Sequence, residues 1–131
     1  MPRVSLWFFS VAVLYAIVGM LWGMHMGETG DHSLLPAHAH WNLLGWVGMA
    51  IYGTFYALAR EQASMKLAWT TFALANIGVL VMIPAAVMFM TAGEDPNSPY
   101  LMGIIGGSAI TLLAMITFAV SVWMVLLKTR N

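Results

Sequence analysis

Four apolar runs, over residues 6–24, 35–59, 67–90 and 101–127, take up most of this chain of 131 residues. An α-helix needs about 20 predominantly apolar residues to cross a hydrocarbon layer, and each run meets or approaches that length. Lipid offers no hydrogen bonds to an exposed backbone, so such a run must satisfy its own amides as helix. With 61% hydrophobic and 8% charged residues, and a mean hydropathy of +0.84, nothing remains from which to build a soluble domain. The expected fold is therefore all-α: one integral membrane domain over residues 1–131, with four transmembrane helices. The first run follows Arg3 as a secretory signal would. It is longer than the roughly 7 to 15 apolar residues of such a signal and is not followed by a small-residue cleavage pattern, so we read it as a span.

The basic residues give these spans a direction. Arg3 precedes the first, Arg60 and Lys66 lie between the second and third, and Lys128 and Arg130 follow the fourth. The two opposite connections carry Glu28, Asp31, Glu94 and Asp95 and no Lys or Arg. By the positive-inside rule the basic end is cytoplasmic, which puts both termini inside a bacterial-type inner membrane and residues 23–34 and 92–99 outside it. The inner connection, residues 60–66, is short, so successive helices are expected to run up, down, up and down. Gly45, Gly48 and Gly53 on the second span, and Gly103-x-x-x-Gly107 on the fourth, are of the kind that lets helices approach closely in lipid. Asn76 and Pro84, inside the third span, are read as packing residues, with Pro84 expected to kink the helix and free a carbonyl near Leu80. A net charge of zero leaves no electrostatic footprint for nucleic acid.

The absence of cysteine excludes thiolate metal sites and covalent haem attachment, so a bound metal or haem would rest on His, Met, carboxylate or carbonyl groups. All four histidines, His25, His32, His38 and His40, lie within 16 residues at the outer end. Ser33 is a plausible N-cap and Pro36 suits a first turn, so His38 and His40 are expected on the second helix. Two residues apart on a helix, they point to nearly opposite sides and cannot chelate one ion together. From His38 the helical period runs through Asn42, Gly45, Met49, Tyr52 and Tyr56. From His40 it meets Leu44, Val47, Ile51 and Leu58. Single imidazoles on separate faces, with apolar walls, suit one axial bond each to a planar haem. Trp41 and Asn42 would support the ligands, Asn42 by orienting a ring from one turn below His38. The competing account leaves His38 and His40 wet and unligated at the interface, whereas His25 and His32, in a flexible loop, are read as solvated surface residues. A second chemistry is copper or zinc, held by His25, His32, His38 and His40 with the soft Met24 and Met26. Methionine is also a common filler of helix cores.

The segment His38-Ala-His-Trp-Asn-Leu-Leu-Gly45 resembles the haem-binding helices of subunit I of the haem-copper oxidases, above all the cbb3-type oxidases and nitric oxide reductases. In that family one histidine on the second helix ligates the low-spin haem, and a His-x-His on the tenth serves both haems, one ring for each. Its twelve helices form three arcs of four, and this chain resembles one arc. The resemblance implies a homotrimer that rebuilds a twelve-helix bundle, in which His38 of one protomer and His40 of its neighbour clasp a haem b. It also implies electron transfer with a redox partner, or haem handling. The third span has no histidine pair for a copper centre, so oxygen or nitric oxide reduction is not implied. A cofactor-free assembly partner of the same descent is the third possibility.

Overall fold

The computed structural model describes residues 1–129, and Arg130, one of the basic residues used above, lies outside them. Four helices account for nearly all of it. The first spans Arg3–Thr29, the third Met65–Thr91 and the fourth Pro99–Thr129, and these three are unbroken α-helices long and apolar enough to cross a membrane. The second covers residues 35–58 and changes its winding along the way: Leu35–His40 is α-helical, Trp41–Gly48 is π-helical and Met49–Leu58 is α-helical again. The chain is thus a multi-pass membrane protein in its architecture.

Helix ends differ from expectation where local hydrogen bonding decides them. The first helix continues past Met24 to Thr29, because nothing in Gly23–Gly27 forbids helix and Gly30 ends it in the left-handed conformation (φ 67°), donating its N–H to the Met26 carbonyl. Residues 23–29 are therefore helix and not loop. Ser33 is not the N-cap of the second helix. Leu34 occupies that position, and the Ser33 N–H is instead held in a turn by Asp31 Oδ1 at 2.9 Å. The third helix begins at Met65, capped by Ser64, whose Oγ accepts from the Leu67 N–H. Pro84 sits on an exposed face inside the unbroken third helix.

The helices meet in reversed order of sequence. Tyr15 packs on Gly45 and Phe8 on Gly53 between the first and second. Tyr56 reaches Thr71 between the second and third, and Gly78 meets Thr111 while Ala85 meets Gly103 between the third and fourth. Each helix therefore runs opposite to the one before it. The third and fourth form the most extensive pair, and the glycines at 103 and 107 serve it: a Cβ on Gly107 would lie 2.6 Å from the backbone nitrogen of Met82. The Gly-x-x-x-Gly pattern of the fourth helix is thus used inside the chain.

An aromatic layer of the buried Phe8, Tyr52 and Tyr56, with the partly buried Phe118 against them, fills the half of the bundle nearer the basic end. Hydroxyls cross it. The Tyr56 hydroxyl shares hydrogen bonds with Thr71 Oγ1 (3.2 Å) and Ser121 Oγ (2.9 Å), and Thr71 in turn pairs with Thr117 at 2.9 Å. Asn76 binds the first three helices together. Its Oδ1 accepts from the Tyr15 hydroxyl at 3.1 Å, while its Nδ2 donates to the Phe72 carbonyl and approaches Met49 Sδ. Lys128 Nζ donates to the Gln62 carbonyl at 2.8 Å, which brings the last turn of the fourth helix to the connection between the second and third. The described basic residues accordingly share one end of the bundle, and the histidines lie at the other.

Candidate functional site

Pro36 in the first turn and the winding after His40 fix how the second helix presents its histidines. A π-helical stretch bonds i to i+5 and turns the chain less per residue than an α-helix does. The inward face is widened as a result: Trp41, Asn42, Leu44, Gly45 and Gly48 are all at least partly covered, where strict helical period would expose some of them. The face followed from His38 is buried at Gly45, Met49, Tyr52 and Tyr56, and Val47, Ile51 and Leu58 on the His40 side are exposed.

The two rings have different surroundings. His38 is half-buried against the first helix, where Gly23 leaves room for its ring and Gly19 for the Asn42 amide: a Cβ on Gly23 would come within 3.2 Å of His38 Nε2. Trp22 meets the ring edge to face at 5.6 Å. Nε2 lies 2.9 Å from the Gly19 carbonyl and 3.1 Å from Asn42 Nδ2. One nitrogen cannot donate to the carbonyl and accept from the amide at once. The arrangement that satisfies both groups has Nε2–H donating to Gly19, with Asn42 Nδ2 donating to the His38 carbonyl at 3.0 Å. Asn42 is thus in contact with His38, as expected of a residue one turn below it. Trp41 turns toward the first helix, donates from Nε1 to the Tyr15 carbonyl at 2.8 Å and packs edge to face on the Tyr15 ring.

His40 is exposed. Its Nδ1 lies 2.8 Å from the Pro36 carbonyl, one turn back on the same helix, and an N–H there makes the bond. That tautomer leaves Nε2 with its lone pair free. Beside the ring is a hollow of about 170 Å³ between the second, third and fourth helices, lined by Ala37, Met82, Ile83, Ala86, Met90 and Ser108 as well as His40. Ser108 Oγ donates to Met82 Sδ at 3.1 Å in its wall.

The other proposed ligands do not gather. His25 and Met24 are exposed on the last turns of the first helix, while Met26, two residues on, is buried in the opposite direction. The Met24-His25-Met26 run therefore cannot close on one ion. His32 is exposed in the turn and its Nδ1 lies 3.0 Å from the Gly30 carbonyl. Among the described residues no three of His, Cys, Asp and Glu converge as a metal site. Asp31 sits in the same turn, and the Ser33 N–H at its carboxylate holds it below the usual carboxylate range.

Sequence reasoning missed the groups that separate the two histidines, namely Gly19, Gly23 and Trp22 around His38, and Met82, Ala86 and Met90 beside His40. A signal for the first set was present, since Gly19-x-x-x-Gly23 repeats on the first helix the spacing noted on the fourth. Comparison with protein-family models, with curated proteins and with solved structures gives no match for this chain.

Proposed function

We propose that this chain is a haem b-binding membrane protein, a single-arc relative of haem-copper oxidase subunit I, that holds its haem between protomers and serves electron transfer or haem handling. The observation that carries the reading is the His40 ring. Its Nδ1 is engaged by the Pro36 carbonyl at 2.8 Å while the ring stands exposed on the flank of the helix. Ligating histidines commonly donate their second N–H to a carbonyl, which fixes the tautomer and raises the basicity of the ligand nitrogen. An ionisable side chain on a membrane helix is, moreover, costly to leave against lipid without a partner.

The residues around it fit such a group. Ala37 and Ala86 leave space beside the imidazole, and Ile83, Met82 and Met90 offer apolar wall. Bound haem would supply one-electron chemistry, and burial with imidazole ligation would set its potential. A porphyrin is far larger than a hollow of 170 Å³, so only one edge could rest there and the remainder would need cover from another copy. This supports an oligomer, and the resemblance to three arcs of four helices makes it a homotrimer, up-down-up-down with both termini cytoplasmic in a bacterial-type inner membrane. For His38 of a neighbour to be the second ligand, its Nε2 must leave the Gly19 carbonyl. His40 is therefore the ligand to test first.

The test is an absorption spectrum of protein purified from haem-replete cells, with mass in detergent. A Soret band with sharp reduced α and β bands, lost in His40→Ala, is expected. A colourless protein of monomeric mass overturns the proposal. A colourless protein carrying stoichiometric copper would favour the second reading, for which the observation is that the thioethers of Met82 and Met90 line the same hollow as His40.

A further inference from the structure

The first and third helices both start at the basic end, and their opening turns lie side by side. Phe72 of the third helix joins them: its ring is 6.5 Å from that of Trp7 and 5.6 Å from that of Trp69, both in edge contacts. The two indoles flank it and remain open to the outside, Trp7 at 56% and Trp69 at 42% exposure. Arg3 precedes Trp7 by four residues and Lys66 precedes Trp69 by three, so each cation stands about one turn nearer the end of the bundle than its indole. On the first helix itself, Arg3, Leu6, Trp7 and Ser10 line an open hollow of about 170 Å³.

The charges at this place are not answered among the described residues. Arg60 pairs with Glu61 at 3.6 Å and Lys128 is engaged by the Gln62 carbonyl, whereas Arg3 and Lys66 have no acidic or carbonyl partner among the described residues. Neither the first nor the third helix has an acidic residue in its first turn. Cations in an opening turn add to the positive end of the helix dipole instead of offsetting it, so the surroundings favour an anion from outside. Indoles at this depth mark the headgroup level of a bilayer, and long basic side chains reach outward from there.

We infer that Arg3 and Lys66, above the Trp7–Phe72–Trp69 aromatic floor between the first and third helices, form a binding site for the phosphate headgroup of an anionic phospholipid. The cations meet the phosphate and the indoles pack on the glycerol and upper acyl region. The occupant is a lipid and not a free phosphate, because the aromatic floor continues into the exposed apolar flank formed by Leu14 and Leu80.

The experiment uses the whole chain in mild detergent with phosphatidylglycerol or phosphatidylcholine added, lipid retention being counted by native mass spectrometry. Retention of phosphatidylglycerol is expected to exceed that of phosphatidylcholine by about tenfold or more, as two interfacial cations would give. Arg3→Gln with Lys66→Gln should abolish the preference, and Arg3→Lys with Lys66→Arg should keep it. The control Arg60→Gln with Lys128→Gln removes the same charge from partnered positions and should also keep it. Equal retention of the two lipids overturns the inference, as does an equal loss in the control. Displacement of the lipid by millimolar glycerol phosphate would overturn the commitment to lipid. So would a double Gln variant that changes only the oligomeric mass, which would make this face a contact between copies.

Discussion

Gly106 and Gly107 are neighbours on the fourth helix, and the packing assigns opposite consequences to the same substitution. A methyl group on Gly107 would lie 2.6 Å from Met82 Cβ, 2.6 Å from its nitrogen and 2.7 Å from its Cα, whereas one on Gly106 meets nothing within 4 Å. Ordinary contact begins near 3.4 Å, so Gly107→Ala lacks about 0.8 Å of clearance. The obstruction is backbone, so no side-chain rotation relieves it. The fourth helix must retreat from the third, and a radial gap of about 0.5 to 1 Å forfeits a quarter to a half of each dispersion contact it opens. The Gly103–Ala85 and Thr111–Gly78 contacts lie on either side of the obstruction and loosen with it. The expected cost is at the upper end of overpacking, about 3 kcal/mol. Gly106→Ala gains helix propensity with no clash, so it should be neutral or stabilising by up to about 1 kcal/mol. Equilibrium unfolding of both variants in mixed micelles of mild detergent and dodecyl sulfate, followed by far-ultraviolet circular dichroism, measures the difference. A Gly107→Ala variant within about 0.5 kcal/mol of the parent, or a Gly106→Ala variant less stable than it, would refute the packing described.

Other perturbations give equally separable outcomes. Tyr56→Phe removes two hydroxyl contacts but leaves Thr71 paired with Thr117 and Ser121 bonded to the Thr117 carbonyl, so it should cost only about 1 kcal/mol. Tyr56→Ala in the same unfolding assay empties a fully buried site and should cost about 3 to 5 kcal/mol. His40→Ala, at an exposed position, should leave the stability of the haem-free protein within about 0.5 kcal/mol while removing the visible spectrum, and a spectrum that survives would move the ligand elsewhere. Asp31 is held below the ordinary carboxylate range by the Ser33 N–H. Because its folded value is depressed, its contribution to the turn is present above the unfolded value and is lost as pH falls through the folded one. A carboxyl carbon titration by NMR should therefore place Asp31 below a model peptide, and the Asp31 midpoint should rise toward the ordinary value when Ser33 is replaced by Pro.

Periodicity and composition carried a long way because lipid imposes few solutions. The apolar runs mark the four helices to within a few residues at most ends, since a backbone without water has to close its own hydrogen bonds. The departures are local. Helix continues to Thr29 because Gly30, with its left-handed φ, is the residue that can stop it, and hydropathy does not register that. Ser33 looked like a cap, but it lies in the turn closed by Asp31, and Leu34 takes the cap position with no side-chain hydrogen bond. The opposed directions of His38 and His40 were legible, because two steps of a helix reverse a side chain whatever surrounds it.

What each histidine faces was not legible. His38 is engaged because Gly23, fifteen residues before it, leaves room for the ring and Gly19 offers its carbonyl. His40 stays free because the Pro36 carbonyl takes its Nδ1 and nothing among the described residues takes Nε2. The Gly103-x-x-x-Gly107 pattern announced a close contact but not its partner, which proved to be Met82 of the same chain. The sequence by itself determined the number of helices, the segregation of basic residues to one end and of histidine to the other, and the two faces of the second helix. Only the tertiary structure decided which face is occupied, because a helix fixes direction about its own axis whereas occupancy depends on side chains that other helices bring to it.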